Sequence, residues 1–403
     1  MIEVLAPAGN KEKLMCALHF GADAVYLAGK SYGLRAFADN FDRDELREAV
    51  QIIHSRGKKM YVTVNIFAHN KDFIGLAEYL KYLESIGTDG VIVSDPGIIE
   101  LIKKETDLAI HLSTQANTTN KYSAAFWSEM GIKRIVLARE LSLDEIKEIR
   151  DHLSPEVELE AFVHGAMCIS YSGRCLLSDF TTGRHGNHGE CAQSCRWEYA
   201  IHEKSRDGEY YPIGEDGRGT YILNSKDLNM AAYIKELVNA GVTSLKIEGR
   251  IKSPYYVAGV VNAYRRAVDH FIKTGDDFVL PPYIQRELEL LSHRKYCTGF
   301  YFGGKGEQCY ETSKPEQKGV FAAIVTAEAE GGFVVEMRNR FKVGDTLEVI
   351  APDDNNGKRI TITQMTDGEG NTVLDANKVQ QKLFIRSDVN LKPSDVLRLN
   401  MEE

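Results

Sequence analysis

Four of the chain's seven cysteines fall in one segment, spaced C-x6-C-x15-C-x3-C at Cys168, Cys175, Cys191 and Cys195. Thiolates brought this close repel one another unless a cation lies between them, so the spacing points to a metal. A disulfide framework is the first alternative, but such frameworks belong to small extracellular domains without a core, and 403 residues need none. The chain opens MIEVLAPAG, without the basic and apolar stretches of a secretory signal, and no apolar run is long enough to span a bilayer. The expectation is a cytoplasmic protein that holds zinc or an iron–sulfur cluster. Zinc sites favour C-x2-C knuckles and ferredoxins have their own spacings; neither is present, and spacing alone leaves the metal open. Cys16, Cys297 and Cys309 are scattered and read as packing thiols.

A second set of polar residues stands at or just past the ends of short β-branched runs: Asn65, Asp95, Gln115, Arg139, His164, Glu248 and Arg250. In a parallel barrel those strand ends form the mouth that carries the active site, whereas the same residues mid-strand would be left unsatisfied. Asp95 precedes Pro96 and reads better as a helix cap. His164, four residues before the first clustered cysteine, is with Glu248 a candidate catalytic residue; its other reading is a histidine bonded to the backbone of the cysteine segment. Gln115, Arg139, Lys246 and Arg250 are candidates for holding substrate, the three cations for a carboxylate or phosphate. No G-x-S-x-G, H-E-x-x-H or P-loop is present. A Cys–His hydrolase could be built from His164, but its nucleophile must be one exposed thiol of low pKa, and here four crowd together.

The elements that must position these groups repeat. Over the first 275 residues, β-branched runs at 2–6, 23–27, 59–66, 89–94, 108–113, 133–138, 157–163 and 243–248 alternate with amphipathic stretches. Asp42 with Glu45 and Ser142 with Glu145 read as capping boxes, Asp95-Pro96 as a cap with proline at the first helical position, and Gly57 and Gly131 as helix stops. Eight βα units predict an α/β fold, a (β/α)8 TIM-like barrel over 1–275 whose last helix spans 255–275. An open doubly wound sheet is the runner-up, but no G-x-G-x-x-G follows the first strand. Strand seven is followed by an insert at about 165–223 that carries all four clustered cysteines, so it should cap the mouth, and its helix is expected at 224–241. A connector over 276–318 leads to period-two runs, which predict a small all-β barrel over 319–403. With 43% hydrophobic residues the chain can bury both cores.

The balance of 49 Lys plus Arg against 58 Asp plus Glu, net −9, rules out a global basic field, so any nucleic acid must meet local patches. Two stand out: Arg174, Arg184 and Arg196 with His185 and His188 in the insert, and Arg338, Arg340 and Lys342 in the tail. For the tail knot taken alone, solvated surface charge is the better reading.

The run from Glu160 to Ser178, EAFVHGAMCISYSGRCLLS, resembles the signature of peptidase family U32, the collagenase-like proteins. The likeness extends through LAPAGN, LSTQAN, RELSLDEI, CRWEY, YILNSKDL and SLKIEGR, and so covers essentially the whole chain. Within the family the pattern is most similar to the branch that hydroxylates tRNA. The resemblance implies a [4Fe–4S] cluster on Cys168, Cys175, Cys191 and Cys195, though some relatives draw one ligand from elsewhere in the chain. It also implies an oxygen-independent hydroxylation of the wobble uridine to 5-hydroxyuridine, with prephenate as co-substrate and the tRNA anticodon loop as partner. Prephenate's two carboxylates would meet Arg139, Lys246 or Arg250. The insert arginines and Arg338, Arg340 and Lys342 would hold RNA phosphates. Relatives with other substrates, a cytidine of ribosomal RNA or a ubiquinone precursor, are the alternatives, as is action only with a paralogous U32 chain. The family's peptidase label finds neither a nucleophile–base pair nor a hydrolytic zinc motif here.

Overall fold

The computed structural model describes residues 2–33, 39–168, 170, 175–184, 190–197, 200–202, 210–212, 225–303 and 315–401. Its larger part is a closed parallel barrel of β1 (Glu3–Pro7), β2 (Ala24–Leu27), β3 (Lys59–Thr63), β4 (Gly90–Val93), β5 (Ile110–Leu112), β6 (Arg134–Val136), β7 (Glu158–Ala166) and β8 (Ser244–Ile247). Neighbours pair in chain order, and β8 pairs with both β7 and β1 to close the ring. Each strand lies on one of the expected β-branched runs. The helices between them are α1 (Lys11–His19), α2 (Arg43–Ser55), α3 (Leu76–Ser85), α4 (Pro96–Glu105), α5 (Lys121–Glu129), α6 (Leu143–His152), α7 (Ile234–Asn239) and α8 (Pro254–Thr274). Asp42 and Ser142 start α2 and α6 through reciprocal capping boxes. Asp95 caps α4 by accepting from Ile98 N at 3.0 Å, which is the role expected of it. Beyond α2, Gly57 takes a φ of 67°, a left-handed conformation that glycine reaches without a Cβ clash.

One expectation fails. The helix predicted over 224–241 is confined to Ile234–Asn239. Before it, Asp227–Asn229 pairs antiparallel with His164–Ala166, the overhanging end of β7. That overhang reaches past the short β6, and its backbone groups need partners once buried. The connector over 276–318 supplies a further strand, Tyr296–Cys297, beside Asp227–Leu228, together with a helix at Pro282–Leu290.

The barrel lumen is charged. Arg134, 2% exposed, reaches Glu3 at 2.6 Å, Glu158 at 2.6 Å and Glu160 at 3.1 Å, with its guanidinium over the Tyr61 ring. Lys246 adds a second cation on Glu160, at 2.6 Å. Leu5, Ala24, Tyr26, Tyr61 and Ile92 form a small apolar cluster around this column, apart from the main core between strands and helices.

The tail is a seven-stranded antiparallel sheet curved into a half-barrel around Phe333, Val335, Leu347, Leu383 and Leu397. It is fastened to the barrel domain. Arg398, wholly buried on the last strand, holds Glu287 of the Pro282–Leu290 helix at 2.6 Å and Glu348 of the tail at 2.8 Å, and Arg286 holds the same Glu348. His19 on α1 meets Asp395 at 2.7 Å. No helix among the described residues is long and apolar enough to cross a membrane.

Candidate active site at the barrel mouth

The floor of the mouth is built by inward-facing positions one step above the charged lumen. Phe162 of β7 lies between two cations, with Lys246 5.4 Å below its ring centre and the Arg139 guanidinium 3.8 Å from it on the mouth side. Arg139 donates through Nη1 to the Ala166 carbonyl at 2.8 Å, while its Nη2 stands 3.7 Å from Glu248 at the end of β8. This arginine therefore holds the strand exit that leads, two residues later, to Cys168. Across the mouth, Asn65 beyond β3 and Ser113 beyond β5 both reach the side-chain carbonyl of Gln115, Asn65 Nδ2 at 3.2 Å. Thr114 ties this corner to β6 by donating to the Leu137 carbonyl at 3.1 Å. Arg250 completes the floor, donating to Thr63 Oγ1 at 3.1 Å and Asn40 Oδ1 at 2.8 Å. Arg139 and Glu248 thus meet on one side of the mouth, and Gln115 and Arg250, the latter 3% exposed, contact residues at the end of β3.

Two sequence candidates stand elsewhere. Lys246 lies below the mouth in the lumen, 4% exposed, and is bound to Glu160, so it is not a mouth cation open to an anion. His164 does not face the mouth. Simple alternation after Glu160 and Phe162 would point it inward, but pairing with β8 shifts register between Phe162 and His164, and this bulge turns the ring outward. There it sits among Tyr256, Tyr264 and Tyr296. Burial first, then the nearby His293 and Lys252, push its pKa down to about 3, so the ring is neutral at physiological pH. A buried neutral histidine behind the strand is a structural part of this wall rather than a base at the mouth.

The insert leaves β7 at Met167, which packs on the main core. Its two cysteine-bearing arms are stitched together. Ser178 on the short helix Leu177–Thr182 accepts from Ala192 N at 2.9 Å, and Thr181 donates to Ser194 Oγ at 2.7 Å. These bonds set Cys175 on one arm against Cys191 and Cys195 on the other. None of the four clustered cysteines forms a disulfide. Backbone N–H groups point at two sulfurs, from Leu177 to Cys175 and from Gln193 to Cys191, each at 3.4 Å. Four cysteine thiols are a donor set that could hold a metal ion or an iron–sulfur cluster. Among the described residues no three His, Cys, Asp or Glu side chains already stand as ligands around one point. Trp197 and Leu176, both exposed, flank the cysteines. Cys16 and Cys297 are buried, burial pushing the Cys16 thiol up to about 12, while Cys309 lies outside the described residues.

The expected RNA-facing cations divide sharply. Arg184 donates to the Glu190 carbonyl at 3.0 Å within the insert. Arg174, His185, His188 and the side chain of Arg196 lie outside the described residues. In the tail, Arg338 is bound to Glu12 of α1 and to Glu336 and belongs to the seam between domains. Arg340 is exposed, paired with Asp375 at 2.6 Å, and Lys342 is exposed beside it. Sequence reasoning missed Ser113 and Phe162; the alternation Glu158, Glu160, Phe162 carried the signal for the latter.

Residues 9–310 match the profile of peptidase family U32, and residues 317–398 that of the U32 C-terminal domain. The chain is 40% identical over 401 residues to tRNA hydroxylation protein P1 of Bacillus subtilis, a match spanning 98% of this chain and 94% of the relative. It is 38% identical to tRNA hydroxylation protein P of Escherichia coli, spanning 91% and 90%. A 23S rRNA 5-hydroxycytidine synthase of Escherichia coli is 37% identical over 276 residues, 68% of this chain and 40% of that one.

Proposed function

The chain belongs to peptidase family U32, and from that premise we propose that it is a tRNA hydroxylase and not a peptidase. Near full-length similarity to tRNA hydroxylation proteins is the observation that carries this reading. The site agrees with it. A peptidase of Cys–His type would need His164 beside a thiol, and His164 is walled off among tyrosines.

The finer reading is that the wobble uridine of an anticodon loop is converted to 5-hydroxyuridine, with prephenate as co-substrate. That loop is single-stranded, so its base can be splayed into the mouth without breaking a duplex. Replacing C5–H by C5–OH adds one oxygen atom and removes two electrons from the base, so the reaction needs an oxygen source, water or a co-substrate, and a two-electron acceptor outside the protein. A [4Fe–4S] cluster held by Cys168, Cys175, Cys191 and Cys195 would supply one-electron redox chemistry next to the base. The chain's own residues bind and orient. Phe162 and the Arg139 guanidinium form a flat floor for the base, and Arg139, whose only carboxylate contact among the described residues is 3.7 Å long, can turn to a carboxylate of prephenate. Glu248, at the same spot and partly exposed, is placed to hold a proton leaving the base. Of the cations expected to meet RNA phosphates, Arg184, Arg340 and Lys342 are the described ones that stand outside the seam between domains. We assign the activity to this chain alone with tRNA; a need for a paralogous U32 chain would appear as an inactive purified protein.

The test is one preparation and one digest. Protein purified without oxygen should carry iron and sulfide and absorb broadly at roughly 400 nm, as thiolate-bound clusters do. In cells stripped of any paralogue and of oxygen-dependent enzymes for the same base, wild-type chain should restore 5-hydroxyuridine to tRNA, while Cys168→Ser should not. Stoichiometric zinc, or tRNA unchanged alongside altered peptides, would overturn the reading.

A further inference from the structure

The corner opposite Arg139 carries more than a contact. Gln115 follows β5, and its side-chain carbonyl is gripped from two sides, by the hydroxyl of Ser113 and by Asn65 Nδ2 at 3.2 Å. Both gripping residues are buried, Ser113 at 3% and Asn65 at 7% exposure, and Asn65 Nδ2 also stands 3.5 Å from Ser113 Oγ. A side-chain bond fixes the same turn, since Asn117 Nδ2 donates to the Gln115 main-chain carbonyl at 2.9 Å. An amide whose oxygen is fixed has its –NH2 fixed as well. That –NH2 makes no hydrogen bond among the described residues, and Gln115 is half-buried at the mouth. The result is a pre-aimed hydrogen-bond donor with nothing to donate to.

Resting on the reading of the site as a pyrimidine hydroxylase, we propose that Gln115 is the residue that selects uracil over cytosine. Chemistry at C5 places the neighbouring C4 edge of the base beside the reacting atom. At C4 uracil presents a carbonyl oxygen, an acceptor, whereas cytosine presents an amino group, a donor. A fixed –NH2 completes a hydrogen bond with the first and meets the second donor against donor. A turned amide would lose the bond from Asn65 Nδ2 and set N–H against N–H there, although the Ser113 hydroxyl can accept as well as donate. Ser113 and Asn65 act through Gln115 and are positioning residues. A site that hydrogen-bonds its substrate rejects an analogue lacking the partner, since the buried polar group is then left unpaired.

The experiment varies the base as well as the protein, so that a folding defect cannot mimic the result. Anticodon stem–loops carrying uridine, cytidine or pyrimidin-2-one ribonucleoside, which lacks the C4 oxygen, compete for the anaerobically purified holoprotein. Wild type should bind the uridine loop about 3- to 10-fold more tightly than the pyrimidin-2-one loop, the span of one neutral hydrogen bond. Gln115→Ala should bind the two equally. Gln115→Glu, which presents an acceptor, should reverse the order of uridine and cytidine in binding and in hydroxylation. Ser113→Ala should narrow the wild-type ratio by freeing the amide. A wild type indifferent to the C4 oxygen, or a Gln115→Ala that keeps the full ratio, overturns the inference while hydroxylation of tRNA stands. A wild type that hydroxylates no RNA overturns the reading beneath it and the inference together.

Discussion

Arg134 and Arg398 are both almost wholly buried, and the networks around them leave different things over. In the seam, Arg398 and Arg286 face Glu287 and Glu348, two cations against two carboxylates. The group is closed, and its charge is consumed in fixing the tail on the barrel. In the lumen, Arg134 and Lys246 face Glu3, Glu158 and Glu160, and the column continues through Phe162 to Arg139 at the mouth. The seam is a fastening, whereas the lumen is the foundation of the site. Buried ion pairs seldom add stability over a well-packed apolar replacement, so what each contributes is geometry. The tail is then a fixed flank of the enzyme and not a swinging arm that collects RNA.

The largest expected effects come from breaking one partner in each network. Arg398→Ala leaves Glu287 buried without its cation and Glu348 with Arg286 alone, which should cost about 3–5 kcal/mol in urea unfolding. Removing residues 319–403 strips Glu287 of the same partner and should lower the stability of the barrel. Arg134→Ala should destabilise comparably. The two should part in catalysis: hydroxylation per folded molecule should survive Arg398→Ala and fall with Arg134→Ala. Equal effects on both would dissolve the distinction between fastening and foundation.

A somewhat smaller effect tests the seam by pH. Burial alone would raise the Glu348 carboxyl, but hydrogen bonds from Arg286 and Arg398, and then their charges, hold it down at about 2. A carboxyl depressed on folding contributes stability that is fully present above its unfolded value of 4.5 and is lost as pH falls toward 2. That contribution amounts to roughly 3 kcal/mol. Between those pH values Glu348→Gln should flatten the decline of stability with acid, measured by denaturant titration at each pH. A variant whose acid profile overlays wild type would remove Glu348 from the seam's account.

What could be read in the sequence was what local chemistry decides. The strands followed β-branched alternation, α2, α4 and α6 their caps, and the insert's place followed from strand seven. Availability of side chains could not be read, because the partners are remote: Lys246 meets Glu160 86 residues away, Arg250 meets Thr63 at 187, and Arg338 meets Glu12 at 326. The facing of His164 was hidden for another reason. A one-residue bulge reverses the parity of every side chain beyond it, and no composition signal marks the bulge itself. The overhang of β7, which claimed Asp227–Asn229 from the expected helix, is likewise a property of the closed sheet.

The smallest expected effect concerns the tail's remaining positive charge, and it separates surface from seam once more. Arg338 is spent on Glu12 and Glu336, while Arg340 and Lys342 are exposed. Arg340 does pair with Asp375, but an exposed pair is screened and can be exchanged for a phosphate at little cost. If the tail lies along the RNA backbone, each cation that neutralises a phosphate steepens the dependence of log K on log salt by about 0.7–0.9. Arg340→Ala with Lys342→Ala should therefore flatten the salt slope of tRNA binding by up to about 2, with the fold intact. Arg338→Ala should leave the slope alone and instead loosen the tail. A slope that responds to Arg338 and ignores the other two would place RNA at the seam, and the tail would have to move to admit it.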